Sequence, residues 1–330
     1  MYEQIPPEQR THIQLNPPEH TDVRRMLLAA VAPPVVKRVV PQIEQLGDEV
    51  LETFKHEGRA EMFKDWASPF PALATSYVLG FPKEDGPQLQ EWVQASFADE
   101  VLKARETGSK GYGQERLGTW FDGYLREQLQ LRRDGTITAD DGISRIMNYQ
   151  SKRGEPYTDD ELILHIHSLI VAANETTTSF MSNVLHRILI TPGLFERIRA
   201  DRSLVDSVIE EAGRLDAPLV LVTRGCQKDT VVNGAEVRAG DGVVLSLAGA
   251  NRDESVWGPD AAEFNPERFL DPPKQEIMTF GHGIHFCPGA HLARLETRIA
   301  LNALLDHTRS MRLAPGFVYE KVWFYLLDRP

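Results

Sequence analysis

Cysteine is scarce in this sequence. There are two in 330 residues, Cys226 and Cys287, too few for a disulfide framework in a chain this long. A reducing, cytoplasmic setting is expected, in which a thiolate can serve as a ligand. Basic residues are also short: 36 Lys and Arg stand against 48 Asp and Glu, for a formal net charge of -12. No Lys/Arg-rich run offsets that balance, so no nucleic-acid partner is expected. No uninterrupted apolar stretch approaches the roughly 20 residues that span a bilayer. Met1 to Arg10 is polar and proline-containing, without the charged-then-apolar pattern of a signal peptide, so no membrane association is expected. Internal repeats and low-complexity linkers are absent. What is present, 42% hydrophobic and 25% charged residues, is the composition of a globular protein with a core large enough to enclose a cofactor.

Amphipathic runs at His20–Ala32, Val35–His56, Gly86–Leu102, Arg116–Arg133 and Glu196–Leu215 predict helices, punctuated by Pro and Gly. Strand signals cluster between Leu219 and Leu247. Within them Asn233-Gly234 predicts a hairpin, because both residues tolerate the positive φ of a type I′ turn, and Gly240-Asp241-Gly242 marks a second turn. From His291 helical spacing returns. The expected class is mainly α with a small β portion, as a single domain over residues 1–330.

One helix has unusual content. Thr158-Asp159-Asp160-Glu161 is a capping box, and nothing breaks the pattern between Asp159 and Pro192, a length on the order of 45–50 Å. Its first half is largely apolar. Then Asn174, Glu175, Thr176, Thr177, Thr178 and Ser179 cover every face, so some must point inward, where an unpaired polar group costs about 1–3 kcal/mol. A solvated face or a helix–helix polar contact would account for them; so would a polar notch in an internal cavity. Thr176 bonding back to the carbonyl of Ala172 would bend the helix there.

The sharpest signal runs from Phe280 to His291: Phe-Gly-His-Gly-Ile-His-Phe-Cys-Pro-Gly-Ala-His. Glycines on both sides of Cys287 permit close backbone approach and unusual φ. A helix starting just after would direct its positive end toward the sulfur and favour thiolate. These residues alone leave other readings open: a plain buried cysteine, or a zinc site built from His282, His285, Cys287 and His291.

The segment resembles the haem-binding loop of the cytochrome P-450 family, Phe-x-x-Gly-x-His/Arg-x-Cys-x-Gly, with Phe280, Gly283, His285, Cys287 and Gly289 at its fixed positions. Other segments resemble the same family in the same order. Glu211 and Arg214 look like its Glu-x-x-Arg pair. Phe264-Asn265-Pro266-Glu267-Arg268-Phe269 resembles the segment whose arginine joins that pair. Asn16 to Arg25 resembles the segment whose His and Arg, here His20 and Arg24, reach a haem propionate. Thr223-Arg224 looks like the next propionate ligand. Ala172-Ala173-Asn174-Glu175-Thr176 resembles the oxygen-handling motif, with Ala173 where glycine is usual.

The resemblance implies a P-450-like fold. Haem b (iron protoporphyrin IX) would lie between the long central helix and the cysteine loop with its C-terminal helix. Cys287 would be the iron ligand, and Phe280, Gly281, Gly289 and Ala172 would contact the macrocycle. His20, Arg24, Arg224 and His285 would face its carboxylates. Glu175 would relay protons and Thr176 would hold dioxygen and its waters. Glu211, Arg214 and Arg268 would be structural. Leu169, Ala172 and Ala173, with Leu219, Val220, Leu221 and Val222, would bound a pocket for a small apolar substrate. No flavin or iron–sulfur motif is present, so a ferredoxin or flavodoxin would deliver electrons, with Arg25, Lys37, Arg38 and Arg294 as docking candidates.

Relative to the family pattern, the helices, strands and substrate cap that precede the Asn16 segment are expected to be missing, as is the last C-terminal strand. Three functions are compatible with the sequence: a haem-thiolate monooxygenase, a haem-binding remnant that does not oxygenate, and a zinc-dependent hydrolase.

Overall fold

The computed structural model describes residues 9–93, 118–271 and 275–319. The second half of the helix expected at Gly86–Leu102 lies outside them. The described chain is mainly helical with two small sheets and divides into two compact units, one built on Glu8–Thr178 with Pro288–Thr308, the other on Ser179–Cys287 and the residues from Arg309.

The first unit contains α1 (Glu19–Ala30), α2 (Pro33–Glu52), α3 (Pro69–Leu79), α4 (Gly118–Arg133) and α5 (Gly142–Met147). It also holds the first part of α6 (Asp159–Ile190), and Ala290–His307, the last helix among the described residues. Proline opens α2 and α3, where a missing N–H costs nothing. Gly80 closes α3 at φ 86°, and a Cβ there would also strike the carboxylate of Asp141. That carboxylate is buried against Arg132 at 2.8 Å and caps α5 through the Ser144 N–H. Gly47 on α2 lets the last helix approach closely, since a Cβ would lie 3.0 Å from that of Ala303. The stretch Glu19–Glu52 is apolar enough, at mean hydropathy 1.3, to match a membrane span by length and composition. It is nevertheless two helices, interrupted at Val31-Ala32, and Val35, Val36, Ile43, Leu46 and Leu51 are buried in this unit.

The second unit contains the rest of α6, α7 (Leu194–Ala200), α8 (Val205–Leu215) and four strands. The single helix expected over Glu196–Leu215 is two. The chain turns extended at Asp201 (φ -130°, ψ 98°), whose carboxylate accepts from the Ser203 N–H at 3.0 Å. This local bond competes with the helix ladder and restarts it. β1 (Leu221–Gly225) pairs antiparallel with β4 (Gly242–Ser246), Leu221 facing Ser246. β2 (Thr230–Val232) and β3 (Ala235–Val237) form the expected hairpin, with Asn233 at φ 50° and Gly234 at φ 84°. Short helices α9 (Leu247–Ala250) and α10 (Glu254–Trp257) lead toward the cysteine loop, and Ala290–His307 is α11.

Candidate active site

In the second unit, Glu211 and Arg214 lie one turn apart on α8 with both side chains fully buried. Arg214 donates from Nε to Glu211 Oε2 at 2.7 Å and from Nη2 to Oε1 at 2.8 Å. Arg268 joins through Nε at 3.1 Å, and the Asn265 N–H donates to the same oxygen at 2.9 Å. Arg214 has three further acceptors, the carbonyls of Asn251, Ala261 and Glu263. A buried charge is tolerable only when so completely hydrogen-bonded. The three residues expected as a structural set are thus brought together.

That cluster is joined to the cysteine loop. Asn251 accepts from the Met278 N–H at 2.6 Å and donates to Thr279 Oγ1 at 3.0 Å; Thr279 donates to the Gly213 carbonyl at 2.7 Å. Asn251 and Thr279 carried no signal in the sequence, where an isolated Asn or Thr reads as a turn residue. Gly213 has no room for a side chain, because a Cβ would stand 2.6 Å from the Phe180 ring. That ring packs edge-on against Phe280, the first residue of the loop motif, at 5.7 Å.

The loop is built by its glycines. Gly281 and Gly283 both sit at φ 73°, which few L-residues adopt. The Cys287 N–H returns to the Phe280 carbonyl at 2.8 Å, closing the loop on itself. Cys287 is half-buried and forms no disulfide. Gly289 is the N-cap of α11, so the positive end of that helix follows the cysteine by three residues. His285 is half-buried, and Ile284 and Phe286 are exposed. Arg224 is exposed at the end of β1 and donates to the carbonyl of Thr223. Val220 is buried, and Leu219, Leu221 and Val222 are half-buried.

In the first unit, α1 carries His20, buried, and Arg24, half-buried. Burial and then the Arg24 charge hold His20 below its usual pKa, so it is neutral at pH 7. On α6 the capping box forms as expected: the Thr158 N–H donates to Glu161 at 2.8 Å and the Glu161 N–H to Thr158 at 3.3 Å. Thr176 Oγ1 donates to the Ala172 carbonyl at 2.7 Å. Asn174 does the same two residues earlier, to the Ile170 carbonyl at 2.8 Å. Two such back-bonds within one turn compete with the helix ladder for the same carbonyls.

Leu164, Ser168, Val171, Ala172 and Glu175 are accessible and fall within about 100° of one another around a 3.6-residue helix. Leu169, expected beside a substrate, is buried in the unit's core, whereas Val171 and Ser168 are accessible. Helical periodicity alone does not say which face of an all-round apolar helix meets a ligand. Of the electron-donor candidates, Arg38 is engaged by Asp140 at 2.9 Å, while Arg25 and Lys37 are exposed and Arg294 is half-buried.

Among the described residues no three His, Cys, Asp or Glu side chains converge as metal ligands. His282 and His291 are exposed, and His291 is hydrogen-bonded to the backbone of Val31. The zinc reading has no such geometry behind it. The donor types present suit haem b instead: a single thiol in a glycine-shaped loop at a helix start, and Arg and His side chains of the kind that pair with carboxylates.

Comparison with known proteins agrees. The cytochrome P450 family model matches residues 116–310. The cytochrome P450 monooxygenase PikC of Streptomyces venezuelae is 31% identical over 327 residues, 94% of this chain and 72% of the relative. The vitamin D(3) 25-hydroxylase of Pseudonocardia autotrophica is 29% identical, over 92% of this chain and 72% of its own length. The crystal structure of CYP109E1 from Bacillus megaterium in complex with testosterone superimposes with a TM-score of 0.84 at 27% identity, covering 97% of this chain and 84% of that one. With a glycine-shaped cysteine loop, a buried Glu–Arg–Arg cluster behind it and relatives that align with more than nine-tenths of its length, this haem-binding oxidoreductase belongs to the cytochrome P450 family.

Proposed function

We propose that the chain is a monooxygenase that inserts one oxygen atom into a C–H or C=C bond of an apolar molecule, and that the Cys287 thiolate would hold the haem iron. The Phe280–Gly289 loop carries this reading most directly. For hydroxylation the balance is substrate, O2, two electrons and two protons giving the alcohol and water. Haem, when bound, supplies the iron at which a thiolate ligand favours O–O cleavage.

The chain's own residues would do the rest. His20, Arg24, Arg224 and His285 would hold the two propionates by charge-assisted hydrogen bonds. Phe280, Gly281, Gly289 and Ala172 would bound the macrocycle. Glu175 and Thr176 would pass protons along a carboxylate–hydroxyl relay. The hydroxyl of Thr176, which donates to Ala172 in this structure, would have to exchange that bond to take part.

The accessible stripe Ser168, Val171 and Ala172, together with Ala173, suits an apolar substrate. Leu219, Leu221 and Val222 would supply further apolar surface. Relatives named for a vitamin D(3) reaction or solved with testosterone support a molecule of polycyclic size. A separate ferredoxin or flavodoxin would bring electrons, docking through Arg25, Lys37 and Arg294 rather than Arg38. The test is product formation from a panel of sterols and fatty acids with a ferredoxin or flavodoxin donor, run with and without O2. Oxygen-dependent hydroxylated product is expected. Electron consumption that yields only peroxide across the panel, with haem fully bound, would contradict the assignment.

A further inference from the structure

Between His20 and Arg24 on α1 stands Asp22, a residue that none of the motifs above uses. At 100° per residue it lies about 200° around the helix from both, while His20 and Arg24 are only about 40° apart. Asp22 therefore occupies the back of the helix whose front carries the two propionate candidates. Its carboxylate is buried and accepts four hydrogen bonds: from Tyr149 Oη at 3.0 Å, Ser151 Oγ at 2.6 Å, the Lys152 N–H at 3.1 Å and Tyr157 Oη at 2.8 Å. All four donors come from the segment between α5 and α6. Burial pushes the carboxyl up, but these hydrogen bonds outweigh it and hold Asp22 below the usual carboxylate range. The donors are anchored in turn. Arg153 lies over the Tyr157 ring at 4.1 Å and pairs with Glu161, whose other contact is the N-cap of α6.

We propose that Asp22 is a positioning residue for haem binding, fixing the rotation of α1 so that His20 and Arg24 face the propionates, and tying that helix to the start of α6. The proposal rests on the propionate reading given above. A surface aspartate would need none of this. Four donors on one buried carboxylate, drawn from one short segment, make a clamp that resists both rotation and sliding of the helix. Both tyrosine hydroxyls and the Ser151 hydroxyl donate to this one carboxylate.

The test is a double-mutant cycle on the haem-loaded chain, read as the rate of haem transfer to an excess of an apoprotein acceptor. Asp22→Asn keeps the shape and removes the charge. It should speed haem loss about tenfold, equivalent to about 1.4 kcal/mol. Arg24→Ala should speed it as well. If Asp22 acts through the front face of α1, the double variant loses haem no faster than the faster single variant. If the two rate factors multiply, Asp22 contributes only general stability and the proposal fails. If Arg24→Ala alone changes nothing, the propionate reading is wrong and the proposal falls with it. Tyr149→Phe and Tyr157→Phe, each removing one donor, replace Asp22→Asn in the same cycle should that variant not fold. The same masking by Arg24→Ala is then expected, and multiplying factors would again overturn the positioning role.

Discussion

Replacing Glu211 by Ala perturbs a buried, fully bonded charge cluster. The carboxylate takes two hydrogen bonds from Arg214, one from Arg268 and one from the Asn265 N–H. Arg214 and Glu211 are both 0% exposed, so water cannot replace the lost partner without opening the core. Leaving the guanidinium buried and uncompensated costs about 3–5 kcal/mol, against a whole-domain stability of about 5–15 kcal/mol. The damage should not stay local. Arg214 also holds the Asn251 carbonyl, and the Asn251 side chain holds Met278 and Thr279 at the entrance to the cysteine loop. Glu211→Ala should therefore lose haem incorporation, measured as the ratio of Soret to protein absorbance after expression with haem supplied, and lower the urea midpoint of the apoprotein. Glu211→Leu combined with Arg214→Met should recover more haem than Glu211→Ala, because the fully buried guanidinium is gone and Arg268 keeps Asp260 as a partner at 2.9 Å. Wild-type haem content and stability in Glu211→Ala would refute the reasoning.

Gly213→Ala should destabilise by about 1–3 kcal/mol through overpacking, since the new methyl meets Phe180 and displaces it from Phe280; a shift in the denaturation midpoint checks this. Glu296, 2% exposed on α11, has its pKa raised well above the usual value by burial. Its folded-state pKa exceeds the unfolded one, so stability is lost as pH rises past the unfolded value near 4.5. Glu296→Gln should accordingly raise stability at pH 8 and change it little at pH 4, seen in melts across pH. Thr176→Ala should divert reducing equivalents from product to hydrogen peroxide, measured as peroxide released per electron pair, and unchanged coupling would remove Thr176 from the proton relay.

The sequence made local signals legible where a few adjacent residues carry the whole cause. The Thr158–Glu161 capping box, the Asn233-Gly234 turn and the back-bond from Thr176 to Ala172 all form as read. The Glu211–Arg214–Arg268 cluster was legible through resemblance, since nothing in local sequence distinguishes it from a surface ion pair. What stayed hidden depends on partners distant in sequence. Asp22 meets Tyr149 across 127 residues, and Asn251 meets Thr279 across 28; neither residue type announces such a role. The break at Asp201 was missed because a capping aspartate and a mid-helix aspartate look alike until the backbone chooses. That Leu169 is buried while Ser168 and Val171 are accessible was hidden for a similar reason, because the helix is apolar on several faces and only packing selects one.

Thiolate ligation by Cys287 is tested most directly by the carbon monoxide difference spectrum of the reduced, haem-loaded chain, compared with Cys287→His. A strongly red-shifted Soret band in the wild type, lost in the variant, is the predicted result. A band at the position of a neutral proximal ligand in the wild type, or a red-shifted band that survives the substitution, would contradict the account.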